Sequence, residues 1–304
     1  MVSPERTEDR SSWAGTKFDR SVSMVAWGLN EELIIERFFD RAFALLSETV
    51  TEFEVVFIND GSTDRTGAIA EAYAKREPRL RVFHNERNLN VGISAQRAVR
   101  AATKDIVLWQ TVDWSYDLRH MRIFLELTRH FDVVQGVRPV PIRLLSYIPI
   151  IRSIYRVRTR SDTLRQAITS LGNYYLLRIL FGVHFQDFQN VTFYPRQLIQ
   201  SLDLSSTTSV INPECLVKAK ATGARFLEVP IGFLRREAGV SKGARIDFII
   251  RSVIDVFRHW FKWGRKLRLT KRAALKERIY RVSEPTFLDE EVIVLAAPLF
   301  AEYR

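Results

Sequence analysis

VVFINDGSTDRTGAIAEAYA, residues 55–74, opens on a continuous apolar run and closes on a helical pattern, with Asn59, Asp60, Gly61, Ser62, Thr63 and Asp64 between them. An apolar run bounded by turn residues reads as a strand buried on both faces, the habit of parallel sheets. Asp60-Gly61 makes a tight turn, since glycine takes φ > 0 without strain. Ser62, Thr63 and Asp64 are natural caps for the next helix. A well-capped strand-to-helix turn would account for all of this. The carboxyl ends of strands in open α/β sheets are also where ligands bind, however, and two carboxylates stand there.

Outward from this stretch the pattern repeats. Residues 21–28 (SVSMVAWG) read as strand and 30–50 as helix; 53–60 as strand and 64–77 as helix; 80–86 as strand and 92–103 as helix. DIVLWQTVD (105–113) reads as strand, 118–131 as helix and DVVQGVR (132–138) as strand. Such alternation predicts an α/β fold, a mainly parallel sheet flanked by helices. Right-handed crossovers then bring the loops after the strands to one edge. Those loops are GLNEE (28–32), NDGSTD (59–64), NERNLNVG (85–92) and VDWSYD (112–117), and all are polar.

With 304 residues the chain is long enough for a large core. Its single cysteine, Cys215, excludes an internal disulfide and fits a reducing compartment. Residues 1–20 are polar, lack the apolar stretch of a signal peptide and are expected to form a flexible arm. No run reaches the roughly 18–20 apolar residues of a membrane span. Residues 1–135 carry 18 Lys and Arg against 21 Asp and Glu, a net of −3; residues 136–304 carry 28 against 14, a net of +14. That asymmetry suggests a polyanionic partner for the second half. No nucleic-acid-binding motif accompanies it, and no G-x-G-x-x-G succeeds the first strand, where WGLNEE stands. Nucleic-acid binding and dinucleotide-dependent oxidoreduction are set aside.

Beyond residue 138 the reading is coarser. Residues 139–186 mix apolar residues with arginines and look helical in pieces; 185–202 suggest a loop, a strand and a helix start; 211–223 read as helix stopped by Gly223, and 224–237 as strand. Residues 244–281 form one or two basic amphipathic helices in which Phe248, Ile249, Val253, Val256, Phe257, Trp260 and Phe261 recur at helical spacing. That composition fits a membrane surface as well as packing on the rest of the protein. The tail, 282–304, shows no clear pattern.

The opening stretch, together with VSMVAWGLNEE (22–32), residues 85–113 and VPIGFLRREAGVSK (229–242), resembles the family 2 glycosyltransferases of GT-A (Rossmann-like) fold, and in particular their dolichol-phosphate mannosyltransferase-like branch. The resemblance covers about Val22 to Lys242. It implies a GT-A catalytic domain over 21–243, with the amphipathic segment after it. It also implies that Asn30 and Glu31 end the first strand, that Asp60 with Ser62 serves the nucleoside, and that Asn90 and Gly92 close over the nucleotide side. The family's Pro-x-Tyr-Asn-Glu reads Trp27-Gly28-Leu29-Asn30-Glu31 here.

In QTVDWSYDL (110–118) the family's Asp-x-Asp motif is incomplete: Asp113 takes the first place, Ser115 the second, and Asp117 the place of a glutamine. In an extended segment, positions 113, 115 and 117 would point to one side. Two carboxylates and a hydroxyl could then share Mg²⁺ or Mn²⁺ with phosphate oxygens. Asp117 reads equally well as a helix cap. Asp187 matches a family aspartate near the acceptor, where it could act as a base or a positioning group. Arg138, Arg236, Ser241 and Lys242 match phosphate-binding positions, whose groups suit phosphate oxygens. Glu214 reads first as a helix-start acid. The five histidines show no metal-ligand spacing.

The activity that the resemblance implies is an inverting transfer of sugar from a nucleoside-diphosphate sugar to polyprenyl phosphate, peripheral on the cytoplasmic face of a membrane. A glycan hydroxyl as acceptor, or an inactive nucleotide-sugar-binding module, are the alternatives.

Overall fold

Strand β2 (Phe53–Asn59) is buried at every position, as a strand covered on both faces requires. A computed structural model describes residues 16–138, 174–232, 234 and 246–303. The chain runs β1 (Val22–Gly28), α1 (Ile35–Thr49), β2, α2 (Thr66–Arg76), β3 (Leu80–His84), α3 (Val91–Ala101), β4 (Ile106–Trp109), α4 (Met121–Leu127) and β5 (Val133–Val137). After these come β6 (Thr192–Pro195), helices Arg196–Ser201 and Ile211–Ala221, β7 (Phe226–Pro230), the helical run from Ile246 to Lys276, β8 (Tyr280–Arg281) and helix Glu290–Tyr303.

One sheet of eight strands has the order β3-β2-β1-β4-β6-β5-β7-β8. Its strands pair in parallel except β6, which is antiparallel to β4 and to β5. The mainly parallel sheet flanked by helices is thus as the sequence pattern has it. Strand order reverses between β1 and β4: β2 and β3 extend one way from β1, and β4 lies on its other side. That is a topological switch point, where open α/β sheets leave a crevice.

Helix α1 buries Phe38, Phe39, Ala42, Phe43 and Leu46. Phe39 meets Phe57 of β2 edge-on at 5.5 Å, a geometry favoured by the ring quadrupoles. The helix begins at Ile35, later than the apolar periodicity suggests, because Asn30 turns left-handed (φ 55°) and breaks the run. Gly223 stops helix Ile211–Ala221 with φ 91°, as expected. The tail, unpatterned in sequence, holds helix Glu290–Tyr303, which packs against α4 and β7.

Among the described residues, the non-glycine residues at positive φ are Asn30 (55°), Asn90 (71°) and Trp114 (53°). They lie in the loops after β1, β3 and β4. Asn90 combines its φ with ψ 159°, a region populated almost only by glycine. Such backbone strain gathers at functional sites and costs on the order of 1–3 kcal/mol per residue.

Candidate active site

The loops after β1 and β2 are bound together by their own side chains. The Asn30 N–H donates to Ser62 Oγ (2.9 Å), and Asn30 Oδ1 accepts from the Thr63 N–H (2.8 Å). The Glu31 N–H donates to Thr66 Oγ1 (2.7 Å), and Asp64 accepts from the N–H groups of Glu32 (3.2 Å) and Thr66 (2.9 Å). Burial pushes the Asp64 carboxyl up, but these hydrogen bonds outweigh it and hold the group below the usual range. Asn30, Ser62 and Asp64 therefore build the rim of the crevice.

Asp60 lies just past β2 and is buried. Its Oδ1 accepts from Asn85 Nδ2 (2.6 Å) and the Leu89 N–H (3.0 Å), and Asn85 Nδ2 also donates to Ser94 Oγ (2.9 Å). The carboxylate is thereby aimed by the loop after β3. Gly61 sits at φ 72° against the backbone of Arg87 and Asn88, where a Cβ would collide. Gly92 is constrained likewise by the backbone of Ser206 and Thr207, and its N–H donates to Thr207 O (3.1 Å). Its smallness serves this approach of a distant loop.

The segment after β4 is a turn rather than an extension of the strand. Gln110, 2% exposed, closes it: Nε2 donates to Tyr116 O (2.8 Å) and Oε1 accepts from the Thr111 N–H (2.9 Å). Positions 113, 115 and 117 accordingly do not share one strand face, which corrects the geometric basis of the three-ligand reading. Asp113 and Ser115 are still together, Ser115 Oγ donating to Asp113 Oδ1 at 2.6 Å. Asp117 goes elsewhere: buried, it takes the Arg119 guanidinium (2.6 Å) and the Arg119 N–H (3.2 Å), closer to the capping alternative. Arg119 passes on to Glu302 of the last helix (2.7 Å). Nothing in the sequence marks Gln110 as the residue that shapes this loop.

Among the described residues no three His, Cys, Asp or Glu side chains gather as a metal cage. Asp113 and Ser115 offer one carboxylate and one hydroxyl. That set fits a hard cation of the Mg²⁺ kind, which keeps waters and phosphate oxygens and needs only one or two protein carboxylates. It does not fit a closed structural site.

Asp187 and Arg138, read from sequence as serving acceptor and pyrophosphate, meet in a buried bidentate pair: Nε to Oδ2 at 2.5 Å, Nη2 to Oδ1 at 2.6 Å. The Gln189 N–H adds a third donor (3.0 Å). Behind them Glu228 of β7, also buried, accepts from the Gln186 N–H (2.6 Å) and Arg281 Nε (2.9 Å). Burial pushes the Glu228 carboxyl up to about 7 against the pull of both donors. Glu214 ties the loop before its own helix, accepting from the N–H groups of Ser205 (3.1 Å) and Ser206 (2.7 Å). Arg236, Ser241 and Lys242 lie outside the described residues, as does most of 139–186.

Residues 28–174 match the model of glycosyl transferase family 2. The chain is 25% identical over 277 residues to glycosyltransferase AglD of Haloferax volcanii, covering 89% of this chain and 42% of that one. It is 26% identical over 226 residues to an undecaprenyl-phosphate mannosyltransferase of Micrococcus luteus, covering 72% and 85%. In fold it resembles glucosyl-3-phosphoglycerate synthase of Mycobacterium tuberculosis in complex with Mn²⁺, UDP-glucose and phosphoglyceric acid (TM-score 0.52, 20% identity, 85% of each chain). The chain thus spans less than half the length of the first of these relatives, and the fold it shares with the third is the GT-A fold. Over residues 28–174 this chain is thus similar to glycosyl transferase family 2, and its fold is that of the GT-A glycosyltransferases.

Proposed function

We propose that the crevice between β1 and β4 transfers a sugar, with inversion, from a nucleoside-diphosphate sugar to a polyprenyl phosphate. The observation that carries this reading is the placement of two aspartates at the switch point. Asp60 lies past β2 and Asp113 past β4, the strands on either side of β1. Asp60, aimed by Asn85 and Leu89, suits the nucleoside. Asp113 and Ser115 would hold Mg²⁺ or Mn²⁺, which neutralises charge on the departing diphosphate when bound. The Mn²⁺ and UDP-glucose bound by the mycobacterial enzyme support that assignment. Arg236, Ser241 and Lys242 are proposed as further phosphate ligands.

For the acceptor, the relative named as an undecaprenyl-phosphate mannosyltransferase and the +14 of the second half favour a lipid phosphate. A phosphate monoester loses its second proton near pH ~6 and needs no base to attack. Asp187, with both oxygens committed to Arg138, then positions the acceptor. Such an acceptor puts the enzyme at a membrane surface, on the cytoplasmic side in our reading. Incubating the protein with labelled UDP- and GDP-sugars, with and without polyprenyl phosphate, tests this. Lipid-linked label is expected. Label on a soluble glycan alone would replace the lipid acceptor by a hydroxyl, and binding without turnover would leave a nucleotide-sugar-binding module.

A further inference from the structure

Helix Ile246–His259 continues through a π-helical turn, Trp260–Gly264, into helices Arg265–Thr270 and Arg272–Lys276. One side of this run is consumed by the fold. Val256 is fully buried. Asp255, also buried, accepts from Ser206 Oγ (3.0 Å) and Thr208 Oγ1 (2.6 Å) and pairs with His259 at 3.3 Å, and Trp263 Nε1 donates to His259 Nδ1 at 3.0 Å. Val256, part of the apolar spacing read from sequence, therefore belongs to the protein interior.

The other side is bare. Ile250, Ile254, Phe257 and Phe261 are 53%, 54%, 41% and 68% exposed. Their spacing of four, three and four residues makes one stripe along the helix. A second helix, 174–181, packs beside it through Phe181, whose ring meets Trp263 at 5.0 Å, and it exposes Tyr175 and Ile179. Single exposed apolar side chains are ordinary, but a contiguous patch marks a contact surface.

The charge around the stripe selects what covers it. Residues 250–276 contain nine Lys and Arg and one acid, Asp255, and that acid is buried. A second copy of the chain would oppose this basic rim to itself, since a twofold interface sets the same patch against its image. An anionic bilayer surface complements both features at once: aromatic and aliphatic side chains enter the acyl boundary while Lys and Arg meet the headgroups.

We infer that Ile250, Ile254, Phe257 and Phe261, with the surrounding Lys and Arg, form a docking surface for anionic membrane lipid. The surface begins beside the acceptor loop. Ser252 Oγ lies 3.5 Å from Ser209 Oγ, and Ser209 O accepts from Gln189 Nε2 (3.1 Å), two residues past Asp187. Docking would therefore hold that loop against the bilayer. The inference gives the lipid-acceptor reading its location, but its test contains no sugar or acceptor, so the two fail separately.

The test is co-sedimentation of the full chain with phosphatidylglycerol/phosphatidylcholine vesicles and with phosphatidylcholine alone. Binding is expected to the anionic vesicles at low salt, weaker at high salt, and slight to the neutral ones. Phe257→Ser with Phe261→Ser should lower partitioning about tenfold or more. Val294→Ser, an exposed position on the last helix, should leave it unchanged. Should the double variant misfold, Lys262→Glu with Lys266→Glu supplies the second reading, again with a large loss expected. Absence of binding to anionic vesicles at low salt would overturn the inference. So would undiminished binding by the variants, or lipid-free dimerisation that Phe257→Ser abolishes together with no vesicle binding.

Discussion

Arg138 and Asp187 are joined by two parallel hydrogen bonds, at 2.5 and 2.6 Å, with both side chains largely withdrawn from water. Breaking such a pair leaves one buried charge without its partner, which typically costs about 3–5 kcal/mol. Asp187→Ala should accordingly lower the unfolding free energy by that order, and Arg138→Met with Asp187→Leu should recover much of the loss. Denaturant titration of the single and double variants reads the coupling directly. A double variant no more stable than Asp187→Ala would refute it.

Activity separates two roles for the same aspartate. As a positioning group, Asp187→Asn should reduce sugar transfer by about tenfold or less, mainly through KM. A missing general base removes roughly 10²–10⁴-fold. A loss of that size in kcat would mean that an unionised hydroxyl is the acceptor.

Asp113→Ala should abolish nucleotide-sugar turnover while leaving the fold intact, which activity and circular dichroism of the variant check together. Ser115→Asp should remain active and bind Mn²⁺ more tightly, since a second carboxylate joins the first. Full turnover in excess EDTA would exclude the divalent cation from the reaction.

Two positions two residues apart should respond with opposite sign. Asn90 holds a backbone conformation suited to glycine, so Asn90→Gly should stabilise the fold, by about 1 kcal/mol. Gly92→Ala would drive a Cβ into the backbone of Ser206 and Thr207 and should destabilise it, by about 1–3 kcal/mol. Thermal melts of both variants check the pair.

Glu228 makes stability depend on pH. With its carboxyl pushed from 4.5 up to about 7 by burial, the folded state keeps a proton that the unfolded chain releases above pH 4.5. Stability from this group therefore falls as pH rises from about 4.5 to about 7 and is level above that, a change on the order of 3 kcal/mol. Glu228→Gln removes the effect. The melting temperature of the native protein relative to the variant should be higher at pH 5 than at pH 8. An equal difference at both values would show that Arg281 keeps Glu228 ionised throughout.

The sequence by itself determined the parallel half of the fold. Apolar runs such as 55–58, glycine at Gly61 and alternating helical spacing are local signals, and right-handed crossovers convert them into loops gathered at one edge. It likewise placed Asn30, Asp60 and Asp113 in those loops, because each stands at a strand end that the pattern marks. The tertiary structure decided how the polar side chains are shared. Gln110 bends 110–117 into a turn, Asp117 goes to Arg119, and Asp187 closes on Arg138 across 49 residues of chain. It also decided which face of the basic helix is interior, since Asp255 is held by Ser206 and Thr208, far away in sequence, Val256 is buried next to it, and the stripe from Ile250 to Phe261 is what remains outside. The reason is physical: periodicity records which side chains avoid water, whereas ion pairs and hydrogen bonds depend on distances that only the packed chain defines.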